Sequence, residues 1–158
     1  MFRPMRRCKQ QITDEECVRI LQEEPRGVLA VWGDDGYPYT VPLDFFYDPE
    51  NRKLYFHGAK EGHKIDALNR CDKVSFCVLD KGCAKSGDWA PYFNSVVIFG
   101  KIRIVEDEEL KMRELLHIGE KYYPSPKEAG EIARRTFGRL DVLELTIEHM
   151  TGKRVHER

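Results

Sequence analysis

The residues of this chain best placed to do chemistry lie in one short stretch, Lys53–Asn69, KLYFHGAKEGHKIDALN. Leu54 and Phe56 alternate with Tyr55 and His57, the pattern of a short strand. Gly58 and Gly62 then bracket a turn, and Ile65 and Leu68 follow at helical spacing. His63 and Lys64 fall in the first helical turn, where free backbone N–H groups and positive charge would converge. Such a turn can hold a phosphate. It also reads as an ordinary glycine turn with surface cations, because neither G-x-x-x-x-G-K-[ST] nor G-x-G-x-x-G spacing is present. Cations at a helix start oppose the helix dipole unless an anion lies between them, which keeps the phosphate reading in view.

Other chemistries find less support. The five cysteines, Cys8, Cys17, Cys71, Cys77 and Cys83, are odd in number and contain no C-x-x-C pair. That pattern argues against a disulfide framework and a structural zinc site and suits a reducing compartment, so a cytoplasmic protein without a metal is expected. With a net charge of −1, the chain has no bulk attraction to nucleic acid or an anionic membrane. The basic segment Met1–Gln11 lacks the apolar centre of a signal peptide, and no run is long enough to span a bilayer.

The elements that must position Lys53–Asn69 can be read along the 158 residues, which suit a single domain over 1–158. Thr13 and Glu16 form a capping-box pattern ahead of a helix that reaches Glu24, before Pro25. Gly27–Trp32 is a continuous apolar run, expected to be a strand buried on both faces. Gly33-Asp34-Asp35-Gly36 marks a hairpin turn. Tyr37–Tyr47 alternates, with Pro38 and Pro42 placing it partly at an edge, and Tyr37 and Tyr47 are expected to be core aromatics. Lys73–Asp80 is a further strand, and Lys81–Asn94 reads as a long irregular loop carrying Trp89, Tyr92 and Phe93. Ser95–Glu106 is a strand with a bend or bulge at Gly100. Helices over about 107–122 and 127–137 precede a final strand, Leu140 to about Met150. Six strands with few, short helices predict a mainly β fold, a six-stranded antiparallel barrel with helices at its openings, since closure removes exposed edges.

Several segments together carry a family resemblance: ITDEE at 12–16, DGYPYTVPL at 35–43, YFHGAKEGHK at 55–64, NSVVIFGKIRIVEDEE at 94–109 and IEHMTGK at 147–153. In that order and over nearly the whole chain, the sequence resembles the FMN-binding split-barrel family related to pyridoxamine 5′-phosphate oxidase, nearest to its nitroimidazole-resistance branch. The resemblance implies a Greek-key split barrel that dimerises with FMN in a groove at the subunit interface. It maps phosphate binding onto His63 and Lys64, the phosphate and ribityl lining onto His57, Gly58 and Ala59, and flavin contacts onto Tyr39, Thr40 and Val41. A further contact from the partner region maps onto Asn94 and Ser95. His57 reads either as a strand histidine satisfied by a carbonyl or as a catalytic residue beside the flavin. Where pyridoxamine phosphate oxidases carry Arg-Lys, this chain has His63-Lys64, and their C-terminal signature is absent from MTGKRVHER, which argues against that oxidase activity.

The activity implied is NAD(P)H-driven reduction of a small electrophile such as a nitroimidazole or other nitroaromatic. The alternative is a flavin- or haem-binding carrier or sensor without turnover, and a third reading is a related enzyme with a deazaflavin or haem in the same groove.

Overall fold

The computed structural model describes residues 1–156 other than 88 and 90. Asp14–Glu23 is helix α1, opened by a reciprocal capping box between Thr13 and Glu16. Strands β1 (Arg26–Trp32), β2 (Pro38–Asp44), β3 (Phe46–Asp48) and β4 (Lys53–Ala59) follow. Helix α2 spans His63–Arg70. Then come β5 (Lys73–Leu79), β6 (Cys83–Ala84), β7 (Pro91–Ile104), α3 (Glu108–Tyr122), α4 (Pro126–Thr136) and β8 (Leu140–His156).

The strands form one antiparallel sheet in the order β2-β1-β5-β7-β8-β4-β3, with β6 added on β7. The sheet therefore has eight strands rather than the six expected. Two local features make the difference. The alternating run Tyr37–Tyr47 changes partner at Phe45, so it is two strands, and β6 lies inside the segment expected to be a loop. Positions 88 and 90 of that segment lie outside the described residues. Strand β7 begins at Pro91 and β8 runs on to His156, so both ladders are longer than the sequence suggested. The bulge falls where Gly100 placed it, with a register shift between Phe99 and Gly100.

The partner change at Phe45 is what makes the barrel split. Strand β2 pairs with β1 up to Asp44↔Arg26, and β3 pairs with β4 from Phe46↔Tyr55. Continuing the second register would set Phe45 against Phe56 and Asp44 against His57, but β2 has turned away by then. The backbone groups of Phe45 are thus left without ladder partners, and the C-terminal end of α3 satisfies them. The Tyr122 hydroxyl accepts from the Phe45 N–H at 2.9 Å and contacts the Pro25 carbonyl. Lys121 Nζ donates to the Phe45 carbonyl at 3.0 Å and the Glu24 carbonyl at 2.7 Å.

Two apolar layers result. Inside the barrel Leu29, Val31, Phe45, Tyr47, Leu54, Phe56, Phe76, Ile98, Leu143 and Leu145 pack together beneath α1 and α2. On the outside, Tyr55, Val105, Leu115, Ile118, Ala133 and Val142 bury the β4–β8 face against α3 and α4. Strand β1 is not buried on both faces: Val31 is 3% exposed and Trp32 59%. Tyr47 is in the core as expected, whereas Tyr37 is 74% exposed at the hairpin tip.

Candidate functional site

Strand β4 enters the Gly58–Gly62 turn from the barrel wall, and α2 leaves it across the barrel mouth. Gly62 caps α2 with φ 118°, a backbone conformation that suits glycine, and no side chain caps the helix. The first N–H groups of α2 are therefore unclaimed by any side chain. Gly58 matters because of what lies over it. A Cβ added there would fall 2.7 Å from Lys64 Nζ, so the ammonium group occupies the space that glycine leaves. Lys64 is half-buried, and burial lowers its pKa below the usual lysine value. Among the described residues it has no hydrogen-bond or ion-pair partner. A desolvated cation beside an uncapped helix start is the arrangement that a bound anion stabilises.

His63 occupies a different position. Its ring stacks on Tyr39 of β2, with centroids 4.1 Å apart and planes at 23°. Its Nε2 lies 3.4 Å from Asp34 Oδ2, and the other oxygen of Asp34 accepts from Arg70 Nη2 at 2.7 Å. Asp34 belongs to the β1–β2 turn, in which Asp35 (φ 53°) and Gly36 (φ 77°) take the left-handed conformation expected of this sequence. One carboxylate thus ties the hairpin tip to both the first and the last residue of α2.

His57 is close in sequence but faces the other way. Phe56 belongs to the barrel interior and Tyr55 to the helix-covered face, so alternation turns Gly58 inward and His57 outward. Its Nδ1 is buried and lacks a hydrogen-bond partner among the described residues. Burial depresses its pKa, with the Lys64 charge adding to this and Asp44 opposing it. Tyr39 and Val41 point toward the core and Thr40 outward, exposed, while Ala59 is exposed at the strand end.

The structure brings Tyr39 against His63 and Lys64 over Gly58 at one mouth of the split. It does not bring Asn94 and Ser95 there within one chain. Asn94 pairs with Arg154 on β8, whereas His57 pairs with Val142. Twelve residues of β8 separate the two rungs, about 40 Å of strand. Asn94 is instead locked to Asp80, with Nδ2 donating at 2.6 Å and the backbone N–H at 2.8 Å. It borders a groove of about 530 Å³ lined by Arg19, Asp80, Lys85 and Arg154 among others. The roles of Asp34, Asp44, Lys121 and Tyr122 carry no local sequence signal, because each acts on a segment distant in the chain. Among the described residues there is no cluster of three or more His, Cys, Asp or Glu that could hold a metal, and no helix is long and apolar enough to cross a membrane.

An eight-stranded antiparallel sheet that changes partners at one residue defines a split-barrel protein. The chain belongs to the pyridoxamine 5′-phosphate oxidase family, which it matches over residues 13–154. Solved structures share the fold. A protein from Bacteroides thetaiotaomicron described as a 5-nitroimidazole antibiotic resistance protein superposes with a TM-score of 0.74 at 24% identity, over 91% of this chain and 86% of its own. A conserved hypothetical protein from Mycobacterium tuberculosis gives 0.79 at 18% identity, over 95% and 90%. A flavocytochrome from Azotobacter vinelandii gives 0.75 at 21% identity, over 98% and 73%. No curated protein matches.

Proposed function

We propose that this protein is an FMN-dependent oxidoreductase, acting as a homodimer that uses NAD(P)H to reduce a small flat electrophile such as a nitroimidazole or another nitroaromatic. The observation that carries this reading is the desolvated, unpaired Lys64 over Gly58 at the uncapped start of α2. A phosphate monoester supplies the missing anion, and each charge-assisted contact contributes about 1.5–3 kcal/mol. The residues present fit FMN. Gly58 leaves the space that the Lys64 ammonium occupies, Tyr39 and Val41 offer a partly buried apolar wall, and the buried His57 Nδ1, on the outer face of β4, is without a partner among the described residues.

Bound FMN supplies the hydride and electron chemistry. Lys64 and the first N–H groups of α2 bind and orient the phosphate. Gly58 and Ala59 would let it approach the backbone, while Tyr39 and Val41 would line the ring and Thr40 faces away from them. His57, on the outer face of β4, would be the candidate to accept and deliver a proton, its neutral form favoured by burial.

The outer sheet face supports the homodimer. Val28 (37% exposed), Trp32 (59%), Leu79 (49%) and Phe99 (41%) project from neighbouring strands, and Val28, Cys77 and Val97 stand side by side in one row. So much apolar surface on one face is the mark of an interface. A second copy docked there supplies Asn94 and Ser95 to a site that they cannot reach within their own chain.

Titration of the protein with FMN tests the reading. Quenched flavin fluorescence at one FMN per chain, followed by NADH or NADPH oxidation dependent on a nitroimidazole, is expected. Unperturbed flavin at micromolar protein overturns it. The likeness to a flavocytochrome favours a second reading, a flavin- or haem-binding carrier, for which cofactor binds tightly but no turnover follows.

A further inference from the structure

From the geometry around α2 we infer that the His63-Lys64 pair is functionally divided: Lys64 alone meets the phosphate, and His63 is a positioning residue that clamps β2 to α2 across the mouth of the split. This rests on the flavin reading for the role of Lys64. The assignment of His63 stands on its own contacts. One face of its ring and its Nε2 are already engaged. The ring lies flat on Tyr39 at 4.1 Å, and Nε2 faces the Asp34 carboxylate at 3.4 Å. An anion approaching that nitrogen would meet Asp34 first, and like charges repel. Lys64 has no such neighbour.

The clamp has a mechanical reason. Below the mouth, β2 and β4 are not hydrogen-bonded to each other, since β2 follows β1 and β4 follows β8. The rim of β2 therefore needs another attachment to the wall that carries the seat, and the Tyr39–His63 stack provides one. Asp34 fixes the ring, and Arg70 at the far end of the helix fixes Asp34 at 2.7 Å. Gly33 leaves room for the arrangement, because a Cβ there would fall 2.9 Å from Tyr39 Cβ and 3.3 Å from His63 Nε2.

The preference for FMN over riboflavin isolates the phosphate contribution from everything else that holds the ring. Lys64→Met is expected to cut that preference at least tenfold, the loss of one charge-assisted contact. His63→Phe keeps the ring and loses both nitrogens, and is expected to leave the preference within about twofold of the starting protein. His63→Ala loses the stack and weakens FMN and riboflavin by the same factor, about two- to tenfold. A collapse of the preference in His63→Phe as large as in Lys64→Met overturns the assignment. An independent arm needs no flavin. In the ligand-free protein the ring protons of His63 should be shifted upfield by the Tyr39 ring in ¹H–¹³C spectra, and Tyr39→Leu should abolish the shift. Unshifted His63 protons overturn the clamp even where flavin binds. A protein that binds no flavin but shows the shift loses the phosphate seat and keeps the clamp.

Discussion

Lys64 Nζ lies where Gly58 has no side chain: a Cβ at residue 58 would come within 2.7 Å of it. Gly58→Ala is therefore expected to displace the ammonium group rather than the backbone, because the lysine end is flexible. Stability should change by less than about 1 kcal/mol, while FMN affinity falls about tenfold through loss of one charge-assisted contact. Thermal denaturation and fluorescence titration of the same sample check both halves.

Tyr122 satisfies backbone that the split leaves unpaired. Tyr122→Phe strands the Phe45 N–H and should cost about 1–3 kcal/mol in urea unfolding. A variant as stable as the parent would mean that Phe45 finds another partner.

Lys121, beside it, titrates early. Burial lowers its pKa to about 8, against the opposing pull of Asp44 and Glu24. The unfolded chain holds this proton up to the ordinary lysine value of 10.5 and the folded one does not, so the contribution of Lys121 to stability rises between pH 8 and pH 10.5. The Tm of the parent minus that of Lys121→Met should grow across that window. A constant difference contradicts the burial of the charge.

His57 works in the opposite pH range. Its folded pKa lies below the ordinary 6.5, chiefly through burial, so the unfolded chain binds the proton first as pH falls. Stability is lost below pH 6.5, and His57→Gln should flatten the acid side of the profile. Parallel unfolding curves for parent and variant between pH 5 and pH 7 would show that His57 is not held neutral.

Val28 stands on the apolar outer face, 37% exposed and paired with Cys77 of β5. Val28→Glu places a charge there and should shift a dimer to monomer in sedimentation velocity. On the proposed dimer FMN affinity should fall with it, since Asn94 and Ser95 would then have no second site to serve.

Much of this architecture was legible in the chain because it is local. The Thr13–Glu16 cap, the Asp35-Gly36 turn, the Gly100 bulge and the strand-turn-helix around Gly58 all declare themselves within a few residues. What escaped depends on distant partners. Alternation through Tyr37–Tyr47 continues undisturbed across Phe45, because the side chains keep their faces while the backbone exchanges one neighbour for another. The apolar run of β1 suggested burial on both faces, yet Val28 and Trp32 project outward, as they would if a second copy covered them. Nothing near residue 63 announces Asp34, so two adjacent cations read as a pair when their side chains have separate company.

The wedge formed by Lys121 and Tyr122 has an evolutionary corollary. The tip of α3 holds the backbone of Phe45 where β2 gives way to β3, and among the described residues neither Lys121 nor Tyr122 is hydrogen-bonded to the Lys64 mouth. Substitutions in that helix or in its register on the barrel could widen or narrow the opening without altering any group that lines it. Related barrels could thus come to hold differently sized guests while keeping the same chemical lining.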